Sequence, residues 1–305
     1  MDFKQEHINV CICTYKRPEL LKNLLIKLQN QRTNQFFSYS IIVVDNDYER
    51  SGKVVVETIK KNGKIPIEYY VEPEQNIALA RNKAIENAKG DYVAFIDDDE
   101  LPIDDWLLNL YQTLNKYEVA GILGPVKPYF EGEPPEWLVR GKFCERESFK
   151  TGTNIHWDQT RTGNTLLRKY LFESEDKCFD AKLGRTGGED IDFFKRAMDV
   201  GRNFVWCNEA VVFEVVPPER WTKHFYLRKY LQMGGLTGEI VKKWSFSLKY
   251  KWFAKAVLSI SFYSLVLPFS ALVGQHAFMK CLLKDVYYLS WLVGFLGRAL
   301  IRFRY

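Results

Sequence analysis

Short apolar runs alternate with helical patterns through the first hundred residues of this 305-residue chain, and the alternation limits the folds it can adopt. The apolar runs predict strands over residues 8–14, 39–44, 67–71 and 92–96. Helices are predicted from Pro18 onward and over residues 54–61 and 77–88. This order is typical of a mostly parallel sheet with helices on both faces, in which ligands bind at the carboxyl ends of the strands. Thr14, Asp45 and Asp97 stand at three such ends.

The fourth predicted strand runs directly into four carboxylates, Asp97, Asp98, Asp99 and Glu100. Four like charges in a row repel one another unless positive charge lies among them. Because side chains alternate along an extended segment, Asp97 and Asp99 share one side and Asp98 faces the other. Two carboxylates placed in this way suit a hard divalent cation, which in turn holds a diphosphate. The turn therefore predicts a site for a nucleotide-activated substrate.

An acidic turn at this place also has simpler interpretations. Asp104 or Asp105 suits the N-cap of a helix predicted over residues 106–116, and Pro102 ends the strand. Capping requires one carboxylate, however, and the turn supplies four before Pro102. A calcium loop is a poor fit, because Pro102 occupies the position at which such a loop needs its sharp-turn glycine. The metal–diphosphate interpretation is therefore favoured.

A second acidic group, Glu189, Asp190 and Asp192, follows two glycines and opens a helix predicted over residues 193–200. Glycine lets a ligand approach closely, which favours a functional carboxylate here. A carboxylate in the first helical turn is also favoured by the helix dipole alone. The residues by themselves leave both interpretations of Asp190 open.

The middle of the chain, residues 124–160, is rich in proline and aromatic side chains and predicts loops. Trp137 within it is a candidate for stacking on a sugar, although packing is the simpler interpretation. The turn Thr162-Gly163-Asn164 either binds donor or acceptor or only reverses the chain. Two further strands are predicted beyond it, over residues 204–206 and 210–216.

Charge is distributed unevenly along the chain, whose formal net charge is +5. From Arg220 onward there are 14 Lys and Arg against 2 Asp and Glu, which leaves the preceding part at −7. A basic end joined to apolar segments indicates anionic lipid headgroups before nucleic acid. The six cysteines form no CxxC pair and the four histidines lack zinc-site spacing, so we expect reduced thiols and no zinc. No apolar segment precedes the first strand, so we expect no signal peptide and a cytoplasmic catalytic part.

Residues 256–274 form an uncharged stretch of 19 residues that contains Pro268. This is near the length of about 20 residues that a bilayer-spanning helix needs, whereas the uncharged residues 286–297 are too few to span alone. Lysine and arginine flank both stretches on every side, so the positive-inside rule assigns no orientation. The pattern favours a membrane-embedded hairpin or interfacial helices over packing in a soluble core.

Four stretches stand out by their order and spacing. They are Cys13-Thr14-Tyr15-Lys16-Arg17-Pro18, Val43-Val44-Asp45-Asn46, Ala80-Arg81-Asn82 with the later Gly90-Asp91-Tyr92-Val93-Ala94-Phe95-Ile96-Asp97-Asp98-Asp99, and Gly188-Glu189-Asp190. Each is weak alone, but the four in order resemble glycosyltransferase family 2, and in particular bacterial enzymes that build surface polysaccharide or lipopolysaccharide. The resemblance covers about residues 8–220. It implies an α/β fold of GT-A type, with a mostly parallel Rossmann-like sheet flanked by helices, a nucleotide-sugar donor, a divalent metal and inversion at the anomeric carbon.

The resemblance also implies roles for individual side chains. Asp190 would be the general base, and Asp99 would bind the metal, Mg²⁺ or Mn²⁺. Asp97 would contact the ribose, and Arg81 the donor phosphates or the region of the base. The other nucleotide-sugar-binding candidates are Thr14 and Asp45, both at the base, with Tyr15, Arg17 and Asp98. Possible acceptor-binding residues are Trp137, Asn164 and Glu189.

One departure from the family pattern concerns the metal. Many GT-A enzymes place a histidine late in the domain as a further ligand, whereas residues 212–220 here contain none. Glu214 or a water molecule would have to fill that position, which leaves Asp99 as the assigned ligand. Arg17 and Arg81 have a plain alternative as well, because each lies on or next to a predicted helix where arginine is often simply solvated.

The combined prediction is a membrane-associated, metal-dependent, inverting glycosyltransferase. It would move a sugar from a UDP-hexose or UDP-N-acetylhexosamine to a lipid-linked glycan or a lipopolysaccharide-type acceptor. Residues 1–125 would bind the nucleotide sugar, residues 126–245 the acceptor, and residues 246–305 the cytoplasmic face of the inner membrane, with no nucleic acid as partner. A polyprenyl-phosphate sugar synthase is the alternative enzyme, and a catalytically inactive, membrane-recruited binding module is the alternative outside catalysis. The carboxylates of both acidic groups argue against the inactive module.

Overall fold

The computed structural model describes residues 5–173, 178–242 and 246–297. The chain divides into two compact units, Met1–Tyr129 with Arg146–Val215 and Phe130–Glu145 with Val216–Tyr305. The predicted segments 1–125, 126–245 and 246–305 divide the chain by what each part would bind, and that division stays a prediction. Residues 298–305 of the predicted tail lie outside the described residues.

A sheet at the centre of the first unit is built mainly from parallel strands. In chain order the strands of the unit are β1 Glu6–Thr14, β2 Phe37–Asp45, β3 Ile67–Val71, β4 Tyr92–Phe95, β5 Glu100–Pro102, β6 Gly121–Leu123, β7 Val126–Tyr129, β8 Thr165–Arg168, β9 Phe204–Trp206 and β10 Val212–Val215. Seven of those described form the central sheet in the order β3-β2-β1-β4-β8-β6-β9. Only β8 is antiparallel to its neighbours. The predicted α/β class with a mostly parallel sheet is confirmed.

Helices pack on both faces of this sheet. Those of the first unit are α1 Pro18–Leu28, α2 Lys53–Asn62, α3 Ile77–Asn87, α4 Trp106–Tyr117 and α6 Glu189–Asp199. Alternate residues of β1 enter two separate cores, because side chains along a strand point to opposite faces. Val10 lies in a core with Leu24 of α1, whereas Cys11 lies in another with Ala84 of α3. The leucines of α1 recur at helical spacing, which is why that helix buries one side.

A smaller sheet, in the order β5-β10-β7, holds the acidic turn. Strand β5 pairs antiparallel with β10, so that Glu100 lies opposite Glu214. The backbone N–H of Val215 donates to the carbonyl of Asp99 at 2.9 Å. Sequence reasoning predicted a turn and loops where β5 and β7 lie. The strands are only three and four residues long, and their common partner β10 follows more than eighty residues later.

The second unit is helical. It consists of α5 Glu136–Arg140, α7 Lys223–Lys242, α8 Phe246–Val273 and α9 Gln275–Phe295. Its core contains Trp137, Tyr226, Met279 and Leu283, so α9 belongs to that core. Helix α8 is long and apolar enough to cross a membrane by length and composition, with a mean hydropathy of 2.0 over an 18-residue window. It contains nearly all of the uncharged stretch predicted to associate with a membrane.

Candidate functional site

The site lies at the carboxyl ends of β1, β2 and β4. Thr14, the last residue of β1, is in register with Asp45, the last residue of β2. The backbone N–H of Asn46 donates to the carbonyl of Thr14 at 2.8 Å. Strand β4 pairs with the other side of β1 and leads into the acidic turn. The sheet therefore places the predicted base-binding residues next to the four carboxylates.

Asp98 is held by two neighbours from the end of β1. The hydroxyl of Thr14 donates to one oxygen of Asp98 at 2.8 Å, and Arg17 donates to the other at 3.1 Å. Burial raises the pKa of Asp98, and Arg17 opposes the rise. Arg17 also donates to Asp99 at 3.2 Å. Asp98 thus orients Arg17 and ties the acidic turn to β1.

Asp99 lies in a strongly negative environment. Burial raises the pKa of Asp99 to about 6, and the carboxylates of Asp97, Asp98 and Glu214 add to the rise, while Arg17 opposes it. The ionised form of Asp99 is therefore disfavoured by desolvation and by repulsion together. A cation bound here would remove the repulsion and return the carboxyl group to its ionised form.

The donor chemistry of the turn fits a divalent cation that also binds substrate. The side chain of Asp97 is 48% exposed and that of Asp99 is 14% exposed, so both offer oxygen atoms to a ligand. Within residues 5–173, 178–242 and 246–297, no group of three or more His, Cys, Asp or Glu side chains is arranged to hold a metal ion. Glu214 forms an ion pair with Arg146. Two carboxylates with diphosphate oxygens and water are the ligand set that Mg²⁺ usually takes.

Arg81 joins the acidic turn to the start of α6. Its guanidinium forms an ion pair with Glu189 and lies 3.9 Å from an oxygen of Asp97. Burial alone would lower the pKa of Arg81, but the carboxylates of Asp97 and Glu189 raise it. The ring of Phe179 lies 5.6 Å from the guanidinium carbon. Arg81 is therefore a buried, paired cation, which excludes the interpretation of a solvated helix residue.

Asp190 lies in the first turn of α6, directly after Glu189 and the glycine pair Gly187 and Gly188. Gly187 and Gly188 have positive φ angles of 83° and 98°, and a Cβ at either position would meet nothing within 4 Å. Glu189 is bound to Arg81, and Asp192 is bound to Arg196 at 2.8 Å. Asp190 alone of these three carboxylates has no ion pair in the part of the chain that the structure describes. Its Oδ1 accepts from the backbone N–H of Ile191 at 2.8 Å, and its role as general base stays a prediction.

Asp45 and Asn164 are fully buried and already hydrogen-bonded. One oxygen of Asp45 accepts from the backbone N–H of Gly52 and the hydroxyl of Tyr69, both at 2.7 Å. The amide of Asn164 donates to two backbone carbonyls, and its oxygen accepts from the indole of Trp106 at 2.7 Å. These contacts fix the loop after β2 and the turn before β8. Direct ligand contacts for the two residues stay predictions.

Tyr15 and Trp137 differ in exposure. Tyr15 is 38% exposed beside the site, so its ring is available to a ligand. Trp137 is 8% exposed and belongs to the second unit. Its ring centroid lies 5.3 Å from that of Phe143 and 5.8 Å from that of Tyr226. These contacts account for Trp137 as a packing residue, and its role in acceptor binding stays a prediction.

A group of buried polar atoms beside the acidic turn was not identified from the sequence. Glu100 Oε1, Arg161 Nε and Thr162 Oγ1 have no hydrogen-bond partner among the residues that the structure describes. Burial raises the pKa of Glu100 well above its ordinary value, and Asp97 adds to the rise. Burial lowers the pKa of Arg161 to about 10, and Arg146 adds to the decrease. Arg161 has no ion pair within the described ranges.

Gly163 explains why these atoms lie so close together. A Cβ at Gly163 would lie 2.8 Å from Asp97 Oδ2 and 2.9 Å from Glu100 Oε1. A side chain at this position would therefore push the turn away from the carboxylates. In the sequence, Arg161 stands directly before the turn Thr162-Gly163-Asn164. Its place beside the carboxylates could be inferred only if the contact between that turn and the acidic turn were already known.

Comparison with known proteins places the chain in a family. A model of glycosyl transferase family 2 matches residues 9–175. The succinoglycan biosynthesis protein ExoM of Rhizobium meliloti (strain 1021) is 33% identical over 251 residues, which cover 81% of this chain and 79% of ExoM. The chain belongs to glycosyl transferase family 2. The predicted resemblance is confirmed.

Other family 2 relatives are similar over less of their length. The hyaluronan synthase of Pasteurella multocida is 22% identical over 72% of this chain and 26% of its own. The GalNAc(5)-diNAcBac-PP-undecaprenol beta-1,3-glucosyltransferase of Campylobacter jejuni is 29% identical over 36% of this chain and 35% of its own. The chain thus spans between a quarter and about a third of these two proteins.

The fold itself is shared with a solved structure. S. aureus TarS 1-349 in complex with UDP-GlcNAc superposes with a TM-score of 0.53, and the match covers 97% of this chain and 93% of the TarS 1-349 chain. The two sequences are 15% identical, so the likeness shows the fold alone. The predicted GT-A type of fold is confirmed.

Proposed function

We propose that this family 2 protein transfers a sugar, with inversion, from a nucleoside diphosphate sugar to a hydroxyl group of a lipid-linked glycan. One observation carries the proposal. Arg81 contacts both acidic groups, since it is paired with Glu189 and lies 3.9 Å from Asp97. This contact supports a single site that contains the proposed diphosphate-binding turn and the proposed base, Asp190.

The donor would be a UDP-hexose or a UDP-N-acetylhexosamine. Its base would lie at the ends of β1 and β2, where Tyr15 is exposed and Thr14 and Asp45 fix the backbone. The guanidinium of Arg17 donates to Asp98 and Asp99 and so places positive charge beside the acidic turn. Arg161 supplies a second positive charge beside the same turn. Both arginines suit the diphosphate, because guanidinium groups bind phosphate oxygens strongly.

The proposed cofactor is Mg²⁺ or Mn²⁺, held by Asp99 with Asp97 beside it. When bound, the cation supplies charge stabilisation to the departing nucleoside diphosphate, which then needs no proton donor. The chain's own contribution is to hold the two carboxylates in place. It does so through the contact of Asp98 with Thr14 and through the backbone hydrogen bond from Val215 to Asp99.

Asp190 is the proposed general base. An acceptor hydroxyl is a poor nucleophile until a carboxylate takes its proton, which contributes about 10²- to 10⁴-fold in rate. Arg81 binds Glu189, whereas the neighbouring Asp190 has no ion pair among the described residues. A Cβ at Gly187 or Gly188 would meet nothing within 4 Å, so there is space beside these glycines just before the helix start. Inversion follows when the hydroxyl attacks from the side opposite to the leaving diphosphate.

The proposed acceptor is a glycan on a lipid carrier, at the cytoplasmic face of the inner membrane. The apolar α8 and the basic charge of the last 86 residues support attachment to an anionic membrane surface. The names of ExoM and of the undecaprenol-dependent glucosyltransferase support an acceptor in polysaccharide or lipid-linked glycan synthesis. A lipopolysaccharide-type acceptor belongs to the same chemical class.

A donor screen tests the proposal. The purified full chain would be mixed with single nucleotide sugars and Mn²⁺ or Mg²⁺, and release of nucleoside diphosphate would be measured. We expect release from one UDP sugar, its stimulation by membrane extract that contains lipid-linked glycans, and its loss in EDTA. Absence of release from every donor, with metal and extract present, would count against a transferase and for the binding module.

A further inference from the structure

One face of α8 is exposed from residue 251 to residue 272. Its members recur every three or four positions and so lie on one side of the helix. These members, called the stripe below, are Lys251, Lys255, Leu258, Phe262, Leu265, Phe269 and Leu272. The apolar members are between 58% and 87% exposed. A continuous row of large exposed apolar side chains marks an interaction surface.

The opposite face of α8 packs against α9. The hydroxyl of Ser264 donates to the carboxylate of Asp285, with distances of 3.2 and 3.1 Å to its two oxygens. The rings of Phe253 and Phe295 lie 5.7 Å apart. The two contacts show that the helices run antiparallel and that Asp285 is level with Ser264.

Charged residues of α9 are therefore level with the apolar part of α8. Ser264 lies near the middle of the uncharged residues 256–274. Asp285 reaches that level, and Lys284 and Lys280 follow on α9 toward the end of the stretch, both exposed. A bilayer crossed by α8 would have to accept these three charged residues as well.

Helix α7 packs tightly against α9, so it would accompany α9 if α9 entered a bilayer with α8. A Cβ at Gly234 would lie 2.2 Å from the carbonyl of Tyr287, and one at Gly238 would lie 2.1 Å from the carbonyl of Trp291. The two helices thus touch backbone to backbone. Charged side chains inside hydrocarbon are costly and face protein or water. An α8 that crossed the bilayer would take α9 and the basic α7 with it.

An open groove on the stripe combines positive charge with apolar surface. Its volume is about 530 Å³, and its lining includes Lys251 and Lys255 at one end and Leu258 and Phe262 at the other. Helix α8 contains no Asp or Glu. Ammonium groups next to apolar side chains match a lipid phosphate joined to its acyl chains.

We propose that α8 binds an anionic lipid bilayer by lying along its surface, with the stripe inserted between the headgroups. Lys251 and Lys255 bind lipid phosphates, and the apolar members enter the acyl region. The face that carries α9 and α7 stays on the cytoplasmic side. This arrangement refines the membrane attachment in the proposed function and rests on it. It also explains why α8 is apolar without being enclosed by protein.

The first test measures binding of the full chain to sedimented vesicles. We expect binding to vesicles of phosphatidylcholine with phosphatidylglycerol, and little binding to phosphatidylcholine alone. The double variant Leu265→Glu with Phe269→Glu should bind at least about tenfold more weakly, because two apolar side chains leave the acyl region. Leu236→Glu, an exposed apolar position on α7, is the matched control and should bind like the parent.

Release of nucleoside diphosphate from the donor, with no membrane present, should be equal in parent, double variant and control. Loss of release in all three would contradict the proposed function and leave the lipid result standing. Equal vesicle binding by parent and double variant would overturn the proposal. So would a parent dimer that the double variant dissociates, since the stripe would then be a protein interface.

The second test distinguishes lying along the surface from crossing. Leu248→Cys places a thiol near the start of α8, and Gln275→Cys places one just beyond its end, at the first residue of α9. Each protein is added to preformed vesicles with a membrane-impermeant maleimide. We expect both variants to gain one label over the parent without detergent. Labelling of Gln275→Cys only after detergent would show that α8 crosses the bilayer and would overturn the proposal.

Discussion

At the scale of single residues, neighbouring carboxylates in this site differ in what else they contact. Asp98 is bound by Thr14 and Arg17, whereas Asp99 is crowded by other carboxylates. Glu189 is bound by Arg81, whereas Asp190 has no ion pair among the described residues. In each pair one member is held by its neighbours, and the other is the one that we propose takes part in the chemistry. This division separates the expected effects of substitution.

Asp99→Asn should stabilise the metal-free protein at neutral pH and abolish metal-dependent donor binding. The pKa of Asp99 is raised to about 6 in the fold, against about 3.9 in an unfolded chain. The fold therefore favours the protonated carboxyl of Asp99. The stability of the fold is unaffected by this group below about pH 4, where the carboxyl is protonated in both states, and decreases as the pH rises through 6. Asparagine keeps the neutral form, so the free energy of unfolding at pH 7.5 should rise by about 1–3 kcal/mol.

Urea unfolding of parent and variant at pH 7.5 and pH 4, without metal, measures this effect. The difference should vanish at pH 4. Mn²⁺ should raise the stability of the parent at pH 7.5 and not that of Asp99→Asn. An Asp99→Asn protein that retains donor turnover with Mn²⁺ would contradict the assignment of Asp99 as metal ligand.

Asp190→Asn should leave donor binding intact and lower the transfer rate at least about 100-fold, the lower range for loss of a general base. Glu189→Gln is the informative partner variant, because it removes the carboxylate that pairs with buried Arg81 and should weaken folding as well. Calorimetric donor titration and single-turnover transfer measure the two quantities. Loss of donor binding in Asp190→Asn would remove it as the base.

Arg161→Met should weaken donor binding about tenfold while leaving the fold as stable or more so. The guanidinium is largely buried, and no ion pair compensates it within the described structure. Arg146→Met is the contrasting variant. It removes the ion pair between Arg146 and Glu214 and should therefore lower the free energy of unfolding. Thermal unfolding and donor titration separate the two. Weaker folding of Arg161→Met with unchanged donor affinity would assign Arg161 a structural role.

At the scale of elements, the sequence was sufficient to predict those strands and helices that show a local pattern of apolar residues. The strands β1, β2 and β4 are apolar runs with helices between them, so their carboxyl ends and the residues on them could be predicted. The small sheet could not be predicted, because β5 contains three residues, one of them Pro102, and pairs only with β10. The contact of Arg81 with Glu189 joins residues 108 positions apart, and no periodicity indicates it.

Gly238→Ala should lower the free energy of unfolding of the helical unit by about 1–3 kcal/mol, because a Cβ at Gly238 would meet the carbonyl of Trp291 at 2.1 Å. Replacing glycine by alanine in a helix interior normally stabilises a helix by about 1 kcal/mol. A destabilising effect of Gly238→Ala would therefore indicate the close contact with Trp291. Gly235→Ala is the control, since the nearest atom to a Cβ at Gly235 would be the hydroxyl oxygen of Ser290, at 3.3 Å. Denaturation followed by circular dichroism compares them, and equal effects would contradict the tight contact.

At the scale of the whole molecule, α9 is part of a packed core. From the sequence, residues 246–305 were predicted only as a membrane-associated segment. In the structure α9 supplies Met279 and Leu283 to a core shared with Trp137 and Tyr226. The periodicity of α9 indicates a helix, but it does not indicate which earlier residues that helix covers.

A chain that ends at Lys249 should therefore expose an apolar core. We expect it to elute as aggregates in size-exclusion chromatography and to bind a hydrophobic dye more strongly than the full chain. The double variant of the stripe retains α9 and should elute like the parent. A monomeric truncated chain that binds the dye no more strongly than the full chain would show that the second unit does not need α9.

The pairing of β5 with β10 also sets when the site can first exist. The backbone of Asp99 receives its hydrogen bond from Val215, and Glu100 faces Glu214. During synthesis the acidic turn leaves the ribosome more than a hundred residues before its partner strand does. Because a strand without a partner is not held in place, the turn reaches its final form only after that strand emerges. A nascent chain therefore remains unable to use its sugar donor until the first unit is complete.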